Sequence, residues 1–129
     1  MKASAREWID KAESDFVSAG REYRARKSPN FDAACFFSQQ CIEKYLKGRL
    51  VQAGIAFPKT HDLEALLDLL LPVAPLWDSY RPSLIDLTTF AIAFRYPGDS
   101  ATREMARKAV RDASRIRRQL RHEMGIEDN

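Results

Sequence analysis

The chain contains 129 residues, of which 45% are hydrophobic and 30% are charged, and its 21 basic and 18 acidic residues leave a net charge of +3. These proportions are typical of one globular domain, and no apolar run approaches the ~20 residues of a membrane-spanning helix. The composition argues against an integral membrane protein and a strong nucleic-acid binder, and we expect a single domain over residues 1–129 with a flexible tail from about residue 125.

The first predicted helix runs from Ser4 to about Lys27. Ser4 and Glu7 have the spacing of a capping box, and Ser28-Pro29-Asn30 ends the helix. The short connection to the next helix predicts an antiparallel pair of helices. Apolar residues recur at spacings of three and four, the period of an amphipathic helix, and they are Trp8, Ala12, Phe16, Ala19 and Tyr23.

The second predicted helix starts near Asn30 or Phe31 and ends at Gly54, and its segment of residues 34–53 is the one around which we expect the domain to be organised. Its apolar residues cover about half of the helix circumference, a wider arc than that of a helix lying on a surface. We therefore place this helix in the centre of a bundle. The opposite arc is polar and mixed in charge, and it consists of Gln39, Gln40, Glu43, Lys44 and Lys47.

A short third helix is predicted to begin within residues 60–62, where Thr60 or Asp62 can serve as its cap. Pro72 and Pro75 end this helix. The secondary structure of residues 77–81 is ambiguous, and we interpret them as one helical turn. Four leucines are predicted to face inward, and they are Leu63, Leu66, Leu67 and Leu70.

Pro82 suits the first turn of the fourth predicted helix, which ends near Phe94. Residues 88–92 also have the composition of a strand. A lone strand would have no partner elsewhere in this sequence, so we predict a helix.

The last predicted helix follows the break at residues 95–98, with Asp99 or Ser100 as its cap, and continues to about Glu123. One of its faces is apolar. The predicted fold is therefore all-α, an up-and-down helical bundle of four long helices and one short helix. A second face carries a row of arginines, which are Arg103, Arg107, Arg111, Arg115 and Arg118.

The two cysteines and the N-terminal segment predict a cytoplasmic protein. Cys35 and Cys41 lie six residues apart on the second predicted helix, which is ~9 Å along its axis and too far for a disulfide. Two thiols without a disulfide pattern are typical of a reducing compartment. The charged N-terminal segment also has no apolar core of a signal peptide.

Four segments in the right order resemble the HEPN domain family. Residues 37–47, FSQQCIEKYLK, are similar to the family pattern of an aromatic residue followed by QQ and E-K-x-L-K. Residues 60–63, THDL, resemble the turn into the third helix, and Arg95-Tyr96-Pro97 resembles the segment before the last helix. The first-helix pattern of the family fits at Trp8, Ala12, Asp15 and Phe16.

The resemblance implies a helical domain associated with nucleotides or RNA. The chain is similar to small stand-alone members of the family. The resemblance therefore implies pairing with a minimal nucleotidyltransferase in a toxin–antitoxin-like module and homodimers formed through helix faces. The ligand implied is a nucleotide or a nucleotidylated partner. The contact residues implied are Arg95 and Tyr96, supported by His61, Asp62, Lys44 and Lys47.

The Arg95-Tyr96-Pro97 junction also fits a phosphate site on physical grounds. Pro97 fixes its own φ and holds Tyr96 in extended geometry, beside the free N–H groups at the start of the last helix. An arginine fork next to a helix N-terminus can bind phosphate. The alternative is that Arg95 pairs with Asp62 or Asp99 and only ties the bundle together.

His61 and the polar arc of the second helix each have two interpretations. The imidazole of His61 is a candidate base or ligand, or else His61 and Asp62 form a helix cap with a local hydrogen bond. The polar arc either lines a cleft and contacts a ligand or partner, or it is a solvated face on which Glu43 and Lys47 pair.

The same resemblance implies an alternative function, that of a metal-independent ribonuclease. Many HEPN proteins cleave RNA with an arginine and a histidine in an R-x4-6-H motif near the last helix. No histidine follows Arg95 at that spacing, whereas Arg117 and His122 fit it at the far end of the last helix. We predict no catalytic residue, with Arg117 and His122 acting across a dimer as the alternative.

The arginine row of the last helix has three interpretations. It suits phosphate backbones, but it also fits a solvated face or a face that binds an acidic partner, in which case the protein is a structural assembly partner. The sequence contains no Glu-x-x-His pair, Cys-x-x-Cys, G-x-G-x-x-G or P-loop, so we predict no cofactor and no metal site.

Overall fold

The computed structural model describes residues 1–126, and the last part of the predicted tail, residues 127–129, lies outside the described residues. The all-α prediction of four long helices and one short helix is confirmed, and the strand alternative for residues 88–92 is wrong, since the described chain contains no strand. The elements are α1 (Ala3–Arg24), α2 (Phe31–Gln52), α3 (Leu63–Leu70), a 3₁₀ segment (Pro75–Tyr80), α4 (Arg81–Ala93) and α5 (Arg103–Glu123).

The second helix, α2, occupies the centre of the bundle, as predicted. It packs against α1, α3, α4 and α5. Its first turn is capped by Asn30, whose Oδ1 accepts a hydrogen bond from the Ala33 N–H at 2.9 Å, which satisfies one of the unpaired N–H groups at a helix start. Apolar side chains along its length are completely buried, among them Ile42, Leu46 and Leu50.

The interpretation of the polar arc of α2 as a solvated face is wrong for three of its members. Gln39, Glu43 and Lys47 are only 2%, 3% and 6% exposed, because neighbouring helices and the segment before α3 cover this side of α2 as well. The predicted pair of Glu43 and Lys47 forms, with 3.1 Å between Oε2 and Nζ, but it forms in the interior. A buried ion is tolerated only when a partner of opposite charge lies close to it.

The predicted cap of the first helix is wrong. The N-cap of α1 is Lys2, and no side chain caps this helix, so the capping box of Ser4 and Glu7 does not form. The helix starts one residue before Ser4, which moves both side chains inside the first turns. At its other end α1 stops at Arg24 rather than near Lys27.

The last helix also starts later than predicted. Thr102 is its N-cap, with Oγ1 accepting from the Met105 N–H at 3.1 Å, so the prediction of Asp99 or Ser100 as the cap is wrong. The segment before the cap is held by α2, because the Ala101 N–H donates to Asp32 Oδ1 at 2.6 Å. The start of α5 is therefore tied to the start of α2.

The middle of the chain follows the prediction. Asp62 is the N-cap of α3, and its Oδ1 accepts from the Glu64 N–H at 3.0 Å. The ambiguous segment, residues 77–81, forms the end of the 3₁₀ segment up to Tyr80 and the first residue of α4, and Pro82 lies in the first turn of α4. The four leucines predicted to face inward on α3 are fully buried, namely Leu63, Leu66, Leu67 and Leu70.

The two cysteines are buried free thiols, as predicted, and they are Cys35 and Cys41. Burial, with a smaller contribution from Asp32, raises the pKa of Cys35 to about 11.

Two further observations concern the end of the chain and membrane helices. Beyond α5, the Ile126 N–H donates to the Arg121 carbonyl at 2.9 Å. Within residues 1–126, no helix combines the length and the apolar character that crossing a membrane requires.

Candidate functional site

A cavity of about 540 Å³ opens between α2, the start of α3 and the outer side of α4. This volume falls within the range of small-molecule sites in proteins. One wall is polar and the other is largely apolar, as is typical of a site that holds an amphipathic ligand. The lining residues are Phe36, Gln39, Gln40, His61, Asp62, Glu64, Ile85, Thr88, Thr89, Ala91, Ile92 and Arg95.

Arg95 lines this cavity from the end of α4. Its side chain is exposed, and within residues 1–126 its guanidinium forms no ion pair. The alternative interpretation, a pairing of Arg95 with Asp62 or Asp99, is therefore not seen in the described part of the chain. An exposed guanidinium at the rim of a cavity is a ready donor for an anionic group.

His61 is oriented by a buried carboxylate that sequence reasoning did not connect with it. Its Nδ1 lies 2.9 Å from Glu43 Oε1, and the Glu43 side chain is 4% exposed whereas that of His61 is 81% exposed. Because a carboxylate accepts hydrogen bonds, Nδ1 is assigned as the donor, and Nε2 is then an acceptor in the neutral imidazole. This arrangement fixes the imidazole ring at the cavity with one nitrogen available to a ligand.

The two glutamines of the segment that resembles the HEPN pattern form the base of the polar wall. Gln39 Nε2 donates to the His61 carbonyl at 2.8 Å and lies 3.3 Å from Glu43 Oε1. Gln40 Nε2 donates to Gln39 Oε1 at 2.8 Å. These bonds join α2 to the turn before α3, so the polar wall is pre-formed rather than assembled from loose side chains.

The structure does not bring three of the predicted site residues to the cavity. Lys44 forms an ion pair with Asp15 of α1, and Lys47 pairs with Glu43 inside the bundle. Tyr96 is 73% exposed and is not among the lining residues. The helix start that borders the cavity belongs to α3 and not to α5, since His61 and Asp62 line it.

A second polar cluster, which we call the closed cluster, consists of Glu13, Tyr45, Arg117 and Arg121 and joins α1, α2 and α5. Glu13 accepts two hydrogen bonds from Arg117, at 2.7 Å from Nε and 2.6 Å from Nη2. The Tyr45 hydroxyl donates to Glu13 and accepts from Arg121 Nη1 at 3.1 Å. Burial alone would raise the pKa of Glu13, but the bonds from Arg117 and Tyr45 and the charges of both arginines hold this pKa below its ordinary value of 4.5.

The contacts of the closed cluster bear on the alternative in which Arg117 and His122 cleave RNA. Its side chain is 13% exposed, and its guanidinium lies over the Phe16 ring at 4.2 Å from the ring centroid. His122, at the ribonuclease spacing from Arg117, is exposed. The arginine of this R-x4-H match is thus engaged in packing α5 against α1, and neither residue lines the cavity.

The comparisons with known proteins identify the family. The HEPN domain family model matches residues 5–123, nearly the whole chain. No curated protein and no solved structure gives a match. In the fold, parts of three segments that resemble the family pattern meet at one cavity, which is lined by Gln39, Gln40, His61, Asp62 and Arg95. The match to the family model associates the domain with nucleotides and RNA in general terms. The chain belongs to the HEPN domain family.

Proposed function

We propose that this protein is a nucleotide-binding module whose site is the cavity between α2, α3 and α4. The observation that carries the proposal is that Arg95 lines the same cavity as His61 and Asp62, two adjacent residues that are distant from Arg95 in the sequence. The cavity volume of about 540 Å³ is sufficient for one nucleotide. The polar wall and the exposed guanidinium of Arg95 supply the hydrogen-bonding groups that such a ligand needs.

Phosphate binding is assigned to Arg95. A guanidinium donates two parallel hydrogen bonds to a phosphate, and this geometry provides orientation as well as energy. The apolar wall, which includes Phe36 and Ile92, is then the surface for the base. On the polar wall, Asp62 and, in the neutral imidazole, His61 Nε2 are acceptors for the ribose hydroxyl groups.

The remaining predicted contact residues act in supporting roles under this proposal. Lys47 neutralises Glu43, with 3.1 Å between the charged atoms, so that Glu43 can remain buried while it holds His61. Lys44 anchors α2 to α1 through Asp15. Tyr96 is exposed beside Arg95, where we predict that it contacts the ligand or a bound partner.

We further propose that the module is cytoplasmic, forms a homodimer and pairs with a minimal nucleotidyltransferase in a toxin–antitoxin-like module, as its family resemblance implies. Ile85 and Ile92 on α4 support association through a helix face, because they are 41% and 56% exposed at the edge of the cavity. Exposed apolar groups of this kind often mark interaction surfaces. Sedimentation of the purified protein as a monomer at all concentrations would contradict the homodimer.

The nucleotide site is tested by titrating AMP into the wild-type protein and the Arg95→Ala variant in a calorimeter. We expect binding by the wild type and a loss of about tenfold or more in affinity for the variant, because a hydrogen-bonded charge pair contributes about 1.5–3 kcal/mol. Arg6→Ala is the matched control, since Arg6 is an exposed arginine on α1 and does not line the cavity.

The contrary results are equally specific. Equal affinities for wild type and Arg95→Ala would remove Arg95 from the site. Absence of heat in both, confirmed by an equilibrium dialysis measurement with labelled AMP, would remove the nucleotide proposal altogether.

A further inference from the structure

The arginine row of α5 forms one side of a groove that is separate from the cavity. The groove has a volume of about 460 Å³ and lies between α5 and the end of α1. None of the described residues that line it is acidic. The lining residues are Tyr23, Arg107, Val110, Arg111, Ser114, Arg115 and Arg118.

We propose that this groove, which we call the arginine groove, is a docking surface for an acidic helical segment of a partner protein. The first support is charge. Arg107 and Arg115 have side chains that are 51% and 56% exposed, and Arg111 is exposed as well. A concave surface lined by guanidinium groups of one sign attracts and orients a segment of the opposite charge.

The second support is spacing. Arg107, Arg111 and Arg115 recur every fourth residue of one helix, so their Cα atoms advance by ~6 Å per step along its axis. Carboxylates at every fourth position of a partner helix advance by the same distance. Three successive guanidinium groups can therefore meet three successive carboxylates, and each arginine fork suits a carboxylate.

The third support is that carboxylates already contact this row within the chain. Glu104 Oε1 lies 3.0 Å from Arg107 Nη1, and Asp112 Oδ1 lies 3.8 Å from Arg115 Nη2. Arg111, between these two arginines, forms no ion pair within residues 1–126. The local geometry accommodates carboxylates, and a partner segment would bind Arg111 together with the parts of Arg107 and Arg115 that remain exposed beside Glu104 and Asp112.

The apolar part of the groove favours a protein over a nucleic acid. Val110 is partly buried between the arginines, and it offers a contact to an apolar side chain of a partner helix. Binding of single-stranded nucleic acid generally uses aromatic rings on which bases stack. Tyr23 is the one aromatic lining residue in the described chain, and its hydroxyl accepts from Arg107 Nε at 3.3 Å while its ring packs against Phe31 with centroids 6.5 Å apart.

The test measures fluorescence anisotropy of a labelled alanine-rich helical peptide of about sixteen residues, long enough to form a helix, with Glu at every fourth position. A peptide with Gln at those positions is the control probe, and oligoadenylate RNA of the same net charge is the competing probe. We expect the wild type to bind the Glu peptide about tenfold more tightly than either other probe at physiological salt.

The variants locate the binding. We expect Arg111→Glu, and the double variant Arg111→Ala with Arg115→Ala, to weaken Glu-peptide binding by about tenfold. The double variant Arg6→Ala with Lys11→Ala removes the same charge from another part of α1 and should bind as the wild type does. Thermal melts confirm that each variant is folded, and AMP titrations distinguish this surface from the site at Arg95.

Three outcomes would overturn the proposal. The first is an equal affinity of the wild type for the Glu and Gln peptides, or no binding of either. The second is an equal loss in the groove variants and in the Arg6 and Lys11 variant, which would indicate non-specific charge attraction. The third is tighter binding of the RNA than of the Glu peptide, which would assign the groove to nucleic acid.

Discussion

The closed cluster and the cavity use the same types of side chain for opposite purposes. In the closed cluster, Arg117 is 13% exposed and is matched by two hydrogen bonds to Glu13. At the cavity, Arg95 is exposed and forms no ion pair within residues 1–126. A guanidinium whose donors are satisfied joins helices, whereas one whose donors remain open is available to a ligand.

The two regions also differ in how their acidic groups are used. Glu13 is the acceptor for two side chains from α5 and α2, so its charge serves the packing of three helices. Glu43 is buried on the cavity side, where it fixes the ring of His61 at 2.9 Å and leaves that ring 81% exposed. Carboxylate burial thus stabilises the bundle in one place and positions a cavity group in the other.

The largest expected effect is a loss of stability in the Glu13→Ala variant, which separates the closed cluster from the cavity. Without Glu13, the guanidinium of Arg117 loses both of these hydrogen bonds in a partly buried position. We expect the free energy of unfolding to fall by about 2 kcal/mol, measured by urea denaturation, while AMP affinity remains unchanged in conditions where the variant is folded.

The control for this prediction is Glu7→Ala, which removes an exposed carboxylate from the same helix and should change stability by less than about 0.5 kcal/mol. If the two variants lost the same stability, the closed cluster would contribute nothing beyond an ordinary surface charge. A large loss of AMP binding by folded Glu13→Ala would contradict the separation of the two regions.

The second prediction concerns pH. Arg117, Tyr45 and Arg121 hold the pKa of Glu13 below 4.5 in the folded chain, so the unfolded chain binds the proton more readily. The stabilising contribution of Glu13 is therefore complete above the unfolded pKa and is lost as the pH falls through the lower folded pKa. We expect the stability difference between wild type and Glu13→Gln to be constant near pH 7 and to shrink as the pH falls below about 4.

Urea titrations of both proteins at several pH values measure this difference, and the other carboxylates largely cancel in the comparison. A difference that stayed constant down to about pH 3 would mean that the arginines do not lower the pKa of Glu13. A difference that grew as the pH fell would have the wrong sign for a carboxyl group stabilised in its charged form.

The fold was predictable because each helix carries its own periodic signal. The wide apolar arc of α2 predicted a central helix, and α2 contacts all four other helices. The buried face of α1 was predicted less well, because the apolar series was started at Trp8 although the adjacent Ile9 also fits a helical period. Ile9 is 1% exposed, while Trp8 lies partly outside, with its ring beneath the ammonium of Lys47.

The site was predictable only in part, and the reason is physical. Gln39, Gln40 and the His61–Asp62 turn were singled out by local pattern, and they line the cavity. The bond between His61 and Glu43 joins residues 18 positions apart, which no periodicity within one helix indicates. Lys44 was assigned to a ligand on the family resemblance, and its pairing with Asp15 was missed because Asp15 lies on a different helix.

The smallest expected effect sharpens the role of Asp62, which serves the fold and the cavity at once. Its Oδ1 caps α3, and the residue lines the cavity. Asp62→Asn keeps a good N-cap residue, so the stability should change by less than about 0.5 kcal/mol. Because a hydroxyl donates a stronger hydrogen bond to a carboxylate than to an amide oxygen, AMP affinity should fall about threefold in calorimetric titrations.

Tighter AMP binding by Asp62→Asn would instead mean that the carboxylate only repels the phosphate and that the ribose lies elsewhere. Unchanged AMP binding would confine Asp62 to its role as a cap.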